Sequence, residues 1–234
     1  MSVGYRVFVV FLKVLARALL DMVAGQMWPV EIFSTRPAGK GEMEGTDMSG
    51  HLDYEINKEL GECYLFMGEL DKAEEYYKKA VGSNGIHPDP YIGLATVAVQ
   101  RGELNDAMKM YEKAHKIEPT DKSLSGIALI RMENGEKENS YSMFVEAIKM
   151  NPENMVALFS LIRLGHELDR VADIIPHLRD YLEIDPAKHE VRYSLAGCLV
   201  CLEQKDAARE HLEKILEMNP DFEAATEMLA EIQS

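Results

Sequence analysis

Along most of the chain, apolar and polar residues alternate with the period of a helix that buries one face. The pattern comes in pairs. The stretch LGECYLFMGELDKAEEYYKKAV and the stretch GLATVAVQRGELNDAMKMYEKAHKIEP each read as an amphipathic segment, a turn with glycine, a second amphipathic segment and a breaker. Pro119, Pro152, Pro186 and Pro220 stand in similar surroundings, separated by 33, 34 and 34 residues. Stepping 34 residues back from Pro119 reaches Gly85, another helix breaker in the same phase. A fixed period of this length marks a repeat array, because one helix–turn–helix is too small to bury its own apolar face.

In this register five units occupy residues 54–87, 88–120, 121–154, 155–188 and 189–222, and the final stretch 223–234 (EAATEMLAEIQS in outline) reads as a helix that covers the last apolar face. Small residues recur in the first segment of four of the five units at Gly61, Ala95, Ala128 and Ala196, and a large apolar residue precedes that position in all five, at Leu60, Leu94, Ile127, Leu161 and Leu195. Glycine marks the turn at 68, 102 and 135. In the second segment, Ala73, Ala107, Ser140 and Ala208 precede Tyr77, Tyr111, Phe144 and Leu212 by four positions, Leu178 holds that large position in the fourth unit, and Ala80, Ala114 and Ala147 come three further on in the first three units. Small residues let paired helices approach, and large ones fill the space beside them. Asp71, Asn105 and Asp206 sit where a side chain is expected to cap the second helix.

These residues resemble the tetratricopeptide-repeat family from residue 54 to about 222. The resemblance implies an all-α fold: a right-handed α-solenoid of about five repeats with a C-terminal capping helix. The fourth unit departs from the pattern. Ile162 replaces the small residue and Gly165 the large one, read as a size swap, while Ile174 and Tyr181 replace alanines. Pro176 is expected to shorten or bend that unit's second helix.

The beginning of the chain differs. Over residues 3–24 the polar residues Arg6, Lys13, Arg17 and Asp21 fall on one narrow stripe of a helical wheel, and nearly everything else is apolar. Twelve Val, Leu and Phe residues favour membrane insertion by roughly 4–7 kcal/mol, but Lys13 and Arg17 near the middle oppose it by about 5–7 kcal/mol. Arg6 and Asp21 oppose it further, so the segment is not expected to span a membrane. Lys13 also interrupts the apolar run a signal peptide needs. Residues 1–33 therefore read as an extra amphipathic helix with its flank. It either caps the first repeat or lies on a membrane interface or a partner, with Trp28 and Phe33 near the boundary. Residues 34–53, rich in glycine and polar residues, read as a flexible linker.

Composition narrows the function. The chain has 234 residues and a formal net charge of −15, from 25 Lys and Arg against 40 Asp and Glu. Such an acidic protein opposes nucleic acid and suits partners that bring positive charge. Three cysteines, at 63, 198 and 201, make no disulfide framework and fit a reducing compartment. Cys198 and Cys201 form a CxxC without a second ligand pair, so packing of small buried residues explains them better than zinc does; Cys63 shares the repeat position of Cys198. The seven histidines have no ligand spacing, and no phosphate loop or nucleophile set stands out. No enzyme activity, metal, cofactor or small-molecule substrate is expected.

In the resembled family, ligands contact the first helix of each unit. Carried over, that face includes Lys58, Glu62, Ile92, Thr96, Ser125, Leu129, Met132, Phe159, Arg163, His166, Tyr193 and Cys201. Glu62 stands where a carboxylate-clamping repeat needs Asn, so a chaperone-tail clamp is not expected. Ile92, Thr96, Ser125, Leu129, Phe159, Arg163 and Tyr193 are the candidate binding residues, with Phe159, Arg163 and Tyr193 the expected anchors. The leading expectation is a cytoplasmic interaction scaffold or assembly factor for a protein or peptide. Two others stay open: a membrane-associated, self-associating subunit held by residues 3–24, and an accessory module of an enzyme complex.

Overall fold

The computed structural model of the protein describes residues 47–233, and their regular structure is entirely helical. Eleven helices occur among the described residues: α1 (Asp47–Phe66), α2 (Leu70–Ser83), α3 (Asp89–Gln100), α4 (Leu104–Ile117), α5 (Asp121–Glu133), α6 (Lys137–Met150), α7 (Met155–Glu167), α8 (Val171–Ile184), α9 (His189–Cys201), α10 (Lys205–Met218) and α11 (Glu223–Gln233). They follow the 34-residue register, and α11 is the expected final helix. The amphipathic segment 3–24 and most of the expected linker lie outside the described residues. The last seven residues of that linker, 47–53, are instead helical and lengthen α1 to 20 residues. The described chain forms two compact units divided between Asn134 and Gly135.

In the first unit each helix packs on its sequence neighbour, α1 on α2, α2 on α3, α3 on α4 and α4 on α5. The first helices of successive pairs also touch, α1 with α3 and α3 with α5. The second helices form because alanines and a large residue share one face. In α2 these are Ala73, Tyr77 and Ala80, all buried, while Glu74–Lys78 and Glu75–Lys79 ion pairs line the wet side.

The Tyr77 ring explains why glycine stands in two neighbouring helices. A Cβ at Gly61 of α1 would lie 2.7 Å from that ring, and one at Gly93 of α3 closer still. Tyr111 of α4 meets Gly126 of α5 in the same way. The repeat therefore has a second lock, between the large residue of one unit and the sixth position of the next. In the second unit that position holds Ser160 and Ser194, both buried.

The turns share one device. Gly68, Gly102 and Gly135 have φ of 74°, 77° and 88°. The amide after the glycine bonds back five residues, Glu69 to Tyr64 at 2.9 Å and Glu103 to Ala98 at 2.8 Å, closing the helix in a left-handed cap. In the second unit the same position is Asp169 (φ 57°) and Glu203 (φ 60°), and the same bonds form, Arg170 to Gly165 at 2.7 Å and Gln204 to Leu199 at 2.9 Å.

The second unit packs α6 on α7, α7 on α8, α8 on α9, α9 on α10 and α10 on α11. The size swap expected within this helix pair, between Ile162 and Gly165, takes a different partner. The space beside Gly165 is taken by Ile174 of α8, whose Cδ1 occupies the place of a Cβ, so the large residue comes from the partner helix. Pro176 does not shorten α8, which has the same 14 residues as α2, α4, α6 and α10. Both Pro176 and Ala172 are exposed, so water can take the carbonyl that loses its donor.

The expected caps at Asp71, Asn105 and Asp206 are not made. The N-cap residues of those helices are Glu69, Glu103 and Gln204, without a side-chain cap bond, and the three residues fall inside the first turn. There Asp71 and Asp206 complement the helix dipole, and Asp71 also pairs with Arg101 at 2.6 Å. Side-chain caps occur on first helices: Thr120 Oγ1 accepts from the Ser123 amide at 3.1 Å and Asn154 Oδ1 from the Ala157 amide at 2.9 Å.

Candidate partner-binding faces

In the first unit, α1, α3 and α5 lie side by side and present the positions chosen from the repeat register. Ile92, Thr96 and Leu129 are half-buried, and Ser125 is buried. Thr96 Oγ1 donates to the Ile92 carbonyl at 2.9 Å and lies 3.4 Å from the Tyr111 hydroxyl, which fixes its rotamer. The surface at these three helices is thus a short apolar and small-polar strip.

Charge gathers beside that strip on α1. Lys58 Nζ pairs with Glu55 at 2.6 Å and stands 5.8 Å from the Tyr54 ring centre. Burial opposes the Lys58 charge, but the bond to Glu55 outweighs it and raises the ammonium above its ordinary value. Burial raises the Glu62 carboxyl above the usual carboxylate range, against the pull of Lys58 and of Lys122 on α5. Tyr54 is buried beneath them, its ring 4.7 Å from that of His87. Lys122 and His87 had no signal in the repeat pattern, because they belong to unit edges where the register places no packing residue.

The second unit treats its three candidates differently. Phe159 and Tyr193 are each only 1% exposed, which corrects the expectation that both stand open as anchors. For Tyr193 the physical reason is visible: its ring packs 5.6 Å from Phe222, just before α11, and burial pushes its phenol up to about 12. A helical wheel of α9 alone could not have shown this, since Phe222 comes from the next unit. Arg163 is half-buried at the end of α7, where its Nε donates to Glu167 at 3.3 Å. Lys137 also reaches Glu167, at 3.0 Å. Burial works against the Glu167 charge, but these two cations hold its carboxyl below the usual range.

Cys198 is fully buried and Cys201 half-buried, and burial pushes both thiols up, away from the thiolate that metal binding or redox chemistry uses. Cys63 is exposed, which corrects its expected burial. Among the described residues no helix precedes α1 to cover the position that Cys198 fills in α9. No group of three or more His, Cys, Asp or Glu side chains among the described residues is arranged around a metal site.

Stacked helix pairs whose first helices carry a small strip of mixed chemistry define a helical-repeat protein of the binding type. Comparison with known proteins gives the family. The tetratricopeptide-repeat profile matches residues 67–128 and 166–232, over half of the chain, and the protein belongs to that family. It is 33% identical over 72 residues to the BBSome complex member BBS4 of Bos taurus, a stretch that is 31% of this chain and 14% of that protein. Among solved structures, pilF of Pseudomonas aeruginosa superposes with a TM-score of 0.64 at 17% identity, over 79% of this chain and 90% of that one. YrrB, described as a tetratricopeptide-repeat protein with an unusual peptide-binding site, gives 0.54 at 18% identity, over 79% and 97%. At these identities the structures share the fold.

Proposed function

We propose that this protein is a non-catalytic interaction scaffold or assembly factor that holds a segment of a partner protein on the first-helix faces of its repeats. The observation that carries the reading is the strip of half-buried Ile92, Thr96 and Leu129 across α3 and α5, flanked by Lys58, Glu62 and Lys122. Such a strip offers apolar contact with a charged rim, the usual composition of a peptide-contact surface. In the second unit Arg163 is the corresponding contact, and Phe159, Tyr193 and, in the first unit, Ser125 form the wall beneath. The net charge of −15 favours a partner segment with Lys or Arg. The names of two similar proteins fit this reading, since BBS4 is a member of a complex and YrrB has a peptide-binding site. Three free cysteines suit a reducing compartment.

The test is affinity capture with cross-linking mass spectrometry from the native lysate. It compares the wild type with an Ile92→Asp, Leu129→Asp double variant and with Arg163→Glu, all first shown to be equally helical. A partner lost from the double variant, with its cross-links mapped to α3 and α5, supports the proposal. Identical partners and cross-links in all three proteins overturn it.

A further inference from the structure

Eight large apolar side chains are exposed among the described residues, and Leu52, Ile56, Phe66 and Met67 are four of them. They are gathered at α1, at 59%, 47%, 55% and 65% exposure, where scattered apolar residues would need no explanation. Leu52, Ile56, Glu59, Cys63 and Phe66 are spaced 4, 3, 4 and 3 residues apart, the seam of a helix that packs against another helix along its length. The seam faces away from the core, because Tyr54 and Gly61, on the opposite side of α1, are the buried ones. α1 is also longer than the other first helices, 20 residues against 12 or 13. The final helix, α11, shows the alternative: its exposed residues are Glu223, Thr226, Glu227, Ala230 and Gln233, with no large apolar side chain among them.

What covers this seam has to be apolar and not acidic. α1 carries Asp47, Asp53, Glu55, Glu59 and Glu62 against the single cation Lys58. A second copy of α1 would set five acids against five and, if antiparallel, Glu59 against itself. Residues 3–24 of the same chain have the opposite balance, Arg6, Lys13 and Arg17 against Asp21. They also carry the same spacing, Phe8, Leu12, Leu15, Leu19 and Met22 at 4, 3, 4 and 3. The connection 25–46 spans up to about 70 Å when extended, and α1 is about 30 Å long, so either direction of approach is in reach. We propose that residues 3–24 pack along the Leu52–Phe66 seam of α1 and add one helical layer to the array.

Cys63 lies in the seam and gives the test. The full chain is treated with N-ethylmaleimide, and modification at Cys63 is followed by peptide mass spectrometry, which reads Cys198 and Cys201 separately. Cys63 is expected to react about tenfold slower in the wild type than in a Leu12→Asp, Leu15→Asp variant of equal helicity, at every protein concentration. In addition, one of the variants Leu12→Cys and Leu19→Cys is expected to form an intramolecular disulfide with Cys63, the first for antiparallel packing and the second for parallel. Equal rates at Cys63 in wild type and variant overturn the proposal. So does protection that vanishes on dilution, which assigns the seam to a second copy, or protection that appears only with anionic vesicles, which places residues 3–24 on a lipid surface.

Discussion

At the fifteenth position of every unit the backbone takes the left-handed conformation, whichever residue is there. Gly68, Gly102 and Gly135 adopt it without a Cβ, whereas Asp169 and Glu203 carry one. A side chain there costs roughly 1 kcal/mol, somewhat less for Asp, which tolerates the region better than Glu. Glu203→Gly is therefore expected to stabilise the protein by about 0.5–1 kcal/mol, and Gly102→Ala to destabilise it by about 1 kcal/mol, measured as shifts in the urea midpoint. At the sixth position the constraint is space. Gly93→Val is expected to cost more than 2 kcal/mol, because the branched side chain must displace either the Tyr77 ring or the α3 backbone.

For single helices, the balance lies between local preference and what the neighbours supply. Pro176 sits inside α8 yet leaves its length unchanged. Replacing it by alanine restores a donor on an exposed face and is expected to raise stability by about 1–2 kcal/mol, the helix gain less the lost rigidity of the unfolded chain. The helices themselves were legible in the sequence, because the 34-residue period, the alanines of the second helices and the turn glycines all record close packing within a unit. Side chains settled by another unit were not legible. Tyr193 reads as an open anchor until Phe222 is placed on it, Cys63 reads as buried until α1 is seen to lack an outer neighbour among the described residues, and Gly165 answers to Ile174 rather than to Ile162. The candidate residues lie on the first helices of their repeats, but their depth was not legible, since a helical wheel gives direction and no cover.

Across the whole molecule, titration should be uneven. Burial holds His166, His177 and His211 below the ordinary histidine range, with Arg192 adding to the effect at His211. Unfolding lets each of them take up a proton as pH falls through about 6.5, while the folded forms stay neutral to lower pH. Stability is therefore complete above that value and declines below it. The Glu74 and Glu167 carboxyls, held low by their cations, add a further loss at more acid pH. All three histidines belong to the second unit. Its amides are expected to lose hydrogen-exchange protection between about pH 7.5 and 5.5 before those of the first unit, and a His166→Gln, His177→Gln, His211→Gln variant to flatten that loss. Equal losses in both units, unchanged by the triple variant, would show that these histidines do not control it.

The Tyr77 ring, held between Gly61 and Gly93, also sets a clock. An aromatic ring turns over about its long axis only when its surroundings swell, and here the surroundings are the backbones of two helices from adjacent repeats. Each half-turn of the ring records a momentary parting of α1, α2 and α3. In a solution spectrum the two sides of Tyr77 should give separate signals where a half-buried tyrosine such as Tyr76 gives an averaged pair. The rate at which they merge on warming would time the breathing of the first repeats, long before any of them unfolds.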